Sequence, residues 1–166
     1  MAQESAQDVQ TLQEERYKME MLKVINVELL NLAKKVNEIY ERLAFVKIVV
    51  GKKVEEEGWW DIYEKLEGVE KDIKDSLVAL NALLHELNIP YDFTPEVVES
   101  KSELDEIYEI FNELAEIYNK KIVFLLVYTE EGKFHNIYGR IEYYIRPALW
   151  SALLGLVDVL YAFASR

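Results

Sequence analysis

The chain has 166 residues, enough for one sizeable hydrophobic core, and its six glycines and three prolines are roughly 5% of it against about 12% in average usage, which excludes a loop-rich or all-β chain. Nineteen Lys and Arg against 31 Asp and Glu leave a formal charge of -12, which speaks against unaided binding to nucleic-acid phosphates. With no cysteine and two histidines, the chain lacks the donors for a disulfide, a thiolate metal site or a three-histidine zinc site.

The first 16 residues carry no basic segment followed by an apolar run, so a cytoplasmic protein is expected. Richness in Glu, Lys, Ile and Tyr, with every glutamine between Gln3 and Gln13, is a bias seen in proteins from hot environments. From Leu22, steps of three and four residues reach Ile25, Leu29, Leu32, Val36, Ile39, Leu43, Val46 and Val50, all apolar. This heptad spacing predicts a helix over about 5–50, with residues 1–12 expected to fray. It is longer than the other helices, and an overhang of that kind requires a partner.

Gly51 and Gly58 bracket a break, and a second stripe runs Trp59, Ile62, Leu66, Val69, Ile73, Ser76, Leu80, Leu83 and Leu87, which predicts a helix over 54–88. His85, near its end, suits the negative pole of the helix dipole better than a ligand role. Between Asn88 and Lys101 the spacing of Thr94 and Pro95 predicts an N-cap and a short helical turn in a connecting segment. Ser102 followed by Asp105 resembles a capping box and opens a third helix over 102–130, with the stripe Leu104, Ile107, Phe111, Leu114, Tyr118, Lys121, Leu125 and Tyr128. Gly132 ends it. A fourth helix over 133–165 carries Phe134, Ile137, Ile141, Tyr144, Ala148, Ser151, Gly155, Asp158, Ala162 and Ser165, and Pro147 predicts a kink or a junction near Tyr143. The fold expected is all-α: a single domain over 1–166, arranged as an up-down-up-down four-helix bundle with a long N-terminal helix and a Pro-kinked C-terminal helix.

Catalytic and metal motifs are weak. Ferritin-like di-metal bundles need Glu three residues before His, but Ala82 and Gly132 stand there for His85 and His135. Pairs such as Glu64 with Glu67 and Glu113 with Glu116 supply the Glu-x-x-Glu half of the helical pyrophosphohydrolase pattern, yet no Glu has Asp three residues later. There is no phosphate-cradling glycine loop and no nucleophile elbow. No catalytic, cofactor-binding or metal-binding residue is therefore assigned, and the chain reads as a non-enzymatic protein. Ser76, Lys121 and Asp158 interrupt the apolar stripes and are expected to be buried polar groups, Ser76 bonded to Asp158 and Lys121 paired near Tyr143 or Glu142.

Charge is uneven: -1 over residues 1–50, -8 over 51–100, -5 over 101–132 and +2 over 133–166. The acidic stripe Glu106, Glu109, Glu113 and Glu116 is expected to face solvent. Lys133, His135, Arg140 and Arg146, in the only basic stretch, form a candidate anion-binding patch. From Pro147 to Ser165 the only charge is Asp158, a length near that of a membrane span and too apolar for an ordinary surface helix. A charge deep in such a span would cost about 3 kcal/mol, so burial against protein is favoured over a membrane. Leu149, Trp150, Leu153, Leu156, Val157, Leu160 and Phe163 are the expected interface of a homo-oligomer, most simply a dimer, in which the stripe of small residues permits close approach. Trp60, Tyr63, Glu106 and Glu113 are candidates for binding a partner protein.

Gln10, Thr11, Leu12 and Arg16 resemble the start of the small helical subunit of type III CRISPR effector complexes. The match covers a small fraction of the chain and assigns no family; it implies a helical subunit of a nucleoprotein assembly, a role that favours a basic surface. The functional expectation is an interaction or scaffold protein that self-associates through helices 1 and 4. The alternative is an acidic regulator that occupies the basic, nucleic-acid-binding surface of a partner. A carboxylate-metal hydrolase ranks last.

Overall fold

The computed structural model describes residues 2–91 and 102–166, with side chains from residue 6 onward. The described residues form helices and no strand. Helix α1, Ala2–Gly51, spans about 75 Å at 1.5 Å per residue. It buries Met21, Ile25, Leu29, Leu32, Val36, Ile39, Leu43, Val46 and Val50, the face its heptad spacing predicts, whereas residues 6–20 are all exposed. A short turn, α2 (Val54–Glu57), ends at Gly58 in the left-handed conformation, φ +69°. The second long helix, α3 (Trp60–Glu86), therefore starts later than residue 54.

The third rod begins at Ser102, whose hydroxyl accepts a bond from the Asp105 N–H at 3.3 Å. It consists of α4 (Glu103–Glu116), a π turn π1 (Ile117–Ile122) and α5 (Val123–Glu131). The fourth is α6 (His135–Arg140), a second π turn π2 (Ile141–Ile145) and α7 (Arg146–Ala164). A π turn bonds five residues back, here the Arg146 N–H to Ile141 O, and inserts one extra residue into the helical phase. The buried stripe of the third rod becomes Ile107, Ile110, Leu114, Ile117, Ile122 and Leu125; that of the fourth becomes Ile137, Ile141, Ile145, Leu149, Leu156 and Val159.

That shift corrects two of the three expected buried polar groups. Lys121 is exposed and pairs with Glu28 at 3.9 Å, and Asp158 is exposed on α7. Ser76 is buried, but it donates to the Ile73 carbonyl at 2.6 Å and not to Asp158. Pro147 stands in the first turn of α7, directly after π2 in a continuous helical rod, so the wide turn lies where the missing N–H and the proline ring act on the preceding carbonyls.

Side-chain pairs fix the helix directions. Lys53 with Glu103 at 3.0 Å and Lys121 with Glu28 set the third rod antiparallel to α1. Arg166 with Asp61 and Arg140 with Glu86 set the fourth antiparallel to α3. Tyr118 against Trp150, ring centroids 5.4 Å apart, joins the third and fourth. The ring order is first, second, fourth, third, with every neighbour antiparallel, so the chain order is up-down-down-up and not up-down-up-down. The connection from Leu87 to Ser102 joins opposite ends of the bundle; the predicted cap at Thr94 and turn at Pro95 lie outside the described residues.

Helices α3 and α7 approach each other closely at Gly155. A Cβ added at Gly155 would lie 2.6 Å from Val69 Cγ2, a stiff β-branched neighbour. Within the small-residue stripe of α7, Gly155 thus serves packing within the chain. Gly155→Ala gains helix propensity but must separate the helices, and a net loss of about 1 kcal/mol is expected in urea unfolding, with Val69→Ala in the same chain recovering most of it.

Candidate interaction surface

The phase that π2 gives the fourth rod leaves α7 with two apolar faces. Of the seven residues expected at an interface, Leu149, Leu153 and Leu156 are core, and Val157, Leu160 and Phe163 are half-buried, the last edge-on to Trp59 at 5.3 Å. Trp150 alone is exposed. Outside the core stripe runs a second one, Tyr143, Pro147, Trp150, Leu154, Val157 and Tyr161, again in steps of four and three residues and without a charge. Leu154 is 50% and Tyr161 71% exposed. On the flank toward α4 this stripe is extended by the exposed Leu104 and Tyr108, which the antiparallel register that pairs Tyr118 with Trp150 brings alongside. Sequence reasoning misses Leu154, Tyr161, Leu104 and Tyr108; the signal for them is the second three-four spacing, visible once the inner stripe is known. By length and composition His135–Ala164 is also apolar enough to cross a membrane.

On the opposite side of the third rod, the acidic stripe is not the free solvated face expected. Arg42, buried beside Leu43, bonds to Glu106, to Glu109 at 3.3 Å and to Glu113, and lies 4.0 Å from Glu38. Glu106 is itself only 5% exposed, because the α1–α4 contact closes over the pair. Burial alone would lower the Arg42 pKa; its bonds to Glu106 and Glu113 outweigh burial and raise it. The guanidinium binds several carboxylates at once, a geometry that suits its fork of donors. Glu106 is therefore held inside the protein and is not open to a partner, whereas Glu113, bonded to Arg42, keeps half of its side chain exposed. The signal missed was one arginine on the apolar end of α1 facing glutamates spaced three and four apart.

The basic stretch is only partly available. Arg140 pairs with Glu86, and Arg146 pairs with Glu142 at 2.9 Å while donating to the Tyr118 hydroxyl at 3.2 Å. Lys133 and His135 are exposed. Two of the four side chains are thus engaged in ion pairs.

Trp60 and Tyr63 flank a notch of about 450 Å3 where α1, α2 and α3 meet, lined also by Gly51, Lys52, Val54, Glu55 and Glu56. Trp60 is 57% exposed and packs edge-on against the half-buried Tyr63 at 6.5 Å. A second groove of about 310 Å3 lies between α3 and α7, lined by Lys65, Gly68, Asp72, Ser151 and Asp158 among others; Ser151 donates to Asp72 there at 2.8 Å.

No family model, no curated protein and no solved structure matches the chain.

Two stability measurements test these ion pairs. Arg42→Met leaves Glu106 buried without its partner and is expected to cost about 3 kcal/mol, against less than about 1 kcal/mol for Glu113→Gln at a half-exposed site. The Glu103 carboxyl is desolvated, which would raise its pKa, but its own backbone N–H and Lys53 outweigh that and lower it. A carboxylate whose pKa falls on folding stabilises the protein above its unfolded value and ceases to do so as pH falls through the folded one. Acid unfolding of Lys53→Met should accordingly be shallower through that window than acid unfolding of the unmodified protein.

Proposed function

We propose that the protein is a non-enzymatic, cytoplasmic interaction subunit that self-associates through the outward face of its fourth helix, α7 packing against α7 of a second copy. The outward stripe Tyr143, Pro147, Trp150, Leu154, Val157 and Tyr161 carries this reading. Apolar residues at alternating steps of four and three are what a facing helix needs to seat knobs in holes. Trp and Tyr are the residues that most often anchor interfaces. An isologous pair across this face also brings together an uncharged stripe of a molecule whose net charge is -12. The apolar end of α1, where Phe45 and Ile48 are exposed, offers a second surface for the same assembly.

The acidic-regulator reading loses part of its basis, since Glu106, Glu109 and Glu113 are bonded to Arg42. It keeps the exposed Glu64 and Glu67 of α3.

Sedimentation velocity separates the two. The unmodified protein should be a dimer at micromolar concentration in both 0.15 M and 1 M NaCl, conditions that span most of the screening range (a Debye length of roughly 8 to 3 Å). Trp150→Glu with Leu154→Glu, both on the exposed face, should yield a folded monomer with unchanged circular dichroism. A folded monomer of the unmodified protein contradicts the proposal, and a dimer that dissociates in high salt favours a charge-based contact instead.

A further inference from the structure

Three cations in this chain share one local arrangement, each held between an aromatic face and a carboxylate. Lys47 lies 5.7 Å from the Tyr63 ring centre and pairs with Glu70. Lys53 lies 4.8 Å from the Trp59 ring and pairs with Glu103. Arg146 lies 5.8 Å from the Tyr118 ring and pairs with Glu142. Their pKa values are all raised: in Lys47 burial acts downward and Glu70 outweighs it, and in Lys53 and Arg146 side-chain hydrogen bonds act most strongly. Trp60 presents the same combination, a ring with Glu55 and Glu56 on the wall of its notch. Among the described residues no cation lies over it, although Lys52 also lines the notch.

From this we infer that the notch at Trp60 is a docking site for a basic segment of another protein, which inserts a lysine or arginine side chain between the Trp60 ring and the carboxylates of Glu55 and Glu56. The ring is the best side-chain partner for a cation, and the notch of about 450 Å3 has room for an arginine with its stem along Val54 and Tyr63. Charge complementarity selects another protein over a second copy. Residues 51–100 carry -8, and this chain's own basic stretch has Arg140 and Arg146 already paired. None of the residues lining the notch belongs to the outward stripe of α7.

The probe is an acetylated, amidated pentapeptide, Gly-Arg-Leu-Arg-Gly, titrated into the 166-residue chain and followed by the indole N–H signals of its three tryptophans and by calorimetry. The Trp60 signal should move on saturation while those of Trp59 and Trp150 stay in place. A counterpart with glutamate for arginine should leave all of them unmoved. Trp60→Leu, which keeps every charge, should weaken binding about fivefold, a fold-change within the range of exposed cation–ring contacts. Glu55→Gln with Glu56→Gln should weaken it to a similar degree. Equal affinity in Trp60→Leu would show attraction by the general acidic field alone and overturn the inference, as would no binding by the unmodified protein. A Trp60 signal that moves with protein concentration in the absence of peptide would assign the notch to a second copy and overturn it as well.

Discussion

The two π turns govern which residues of the last two helices meet water. Continued in strict α phase, the third rod would carry Lys121 into the core and the fourth would carry Asp158, each without an internal partner of opposite charge on the packed face. Burying an unpaired charge costs several kcal/mol, whereas one widened turn forfeits part of the hydrogen-bond geometry of a few residues. The wide turn is the lesser cost, and it brings Ile122, Ile145, Leu149 and Val159 into the core. In the fourth rod it coincides with the site where Pro147 would otherwise clash with the carbonyl four residues back. A single device thus removes a charge from the core, accommodates a proline and sets the face that α7 shows to solvent.

That phase produces a division of labour among the sides of the bundle. The α3–α7 contact is closed by Gly155 against Val69, the α1–α4 contact by Arg42 and its glutamates, and the outward side of α7 is left apolar and uncharged. The acidity of the chain is largely elsewhere, on α2, α3 and the outer side of α4. A protein with these faces has a surface suited to a copy of itself and another suited to a cationic partner, and the two do not compete for the same residues. The exposed first turns of α1, beyond Met21, extend past the α5–α6 turn and add reach without adding core.

The sequence was legible where spacing is uninterrupted. The α1 stripe from Ile25 to Val50 and the α3 stripe from Ile62 to Leu83 are buried as their periodicity predicts, and the Ser102 cap is made. Legibility fails at Ile117, because steps of three and four residues cannot represent the five-residue step from Ile117 to Ile122. The competing signal was present: past each π turn the larger aliphatics lie in the shifted phase, and the stripe taken at face value contained a lysine and an aspartate. The helix order failed for a different reason. Antiparallel neighbours need short connections, and the long segment after Leu87 is better suited to a crossover between ends than to a hairpin. Arg42 was hidden because an arginine beside an apolar stripe looks like a flanking surface residue until a facing helix supplies its carboxylates.

Everything proposed for α7 depends on the phase set by the π turns, and the absence of cysteine from the chain allows a direct reading of it. Single cysteines at positions 121, 122, 158 and 159, in dilute native protein, can be compared for their rate of reaction with a thiol reagent. Lys121→Cys and Asp158→Cys should react at nearly the rate of the unfolded chain, and Ile122→Cys and Val159→Cys should be protected until the protein unfolds. Protection at 121 and 158 with fast reaction at 122 and 159 would mean that the helices continue without the wide turns, and would contradict the account.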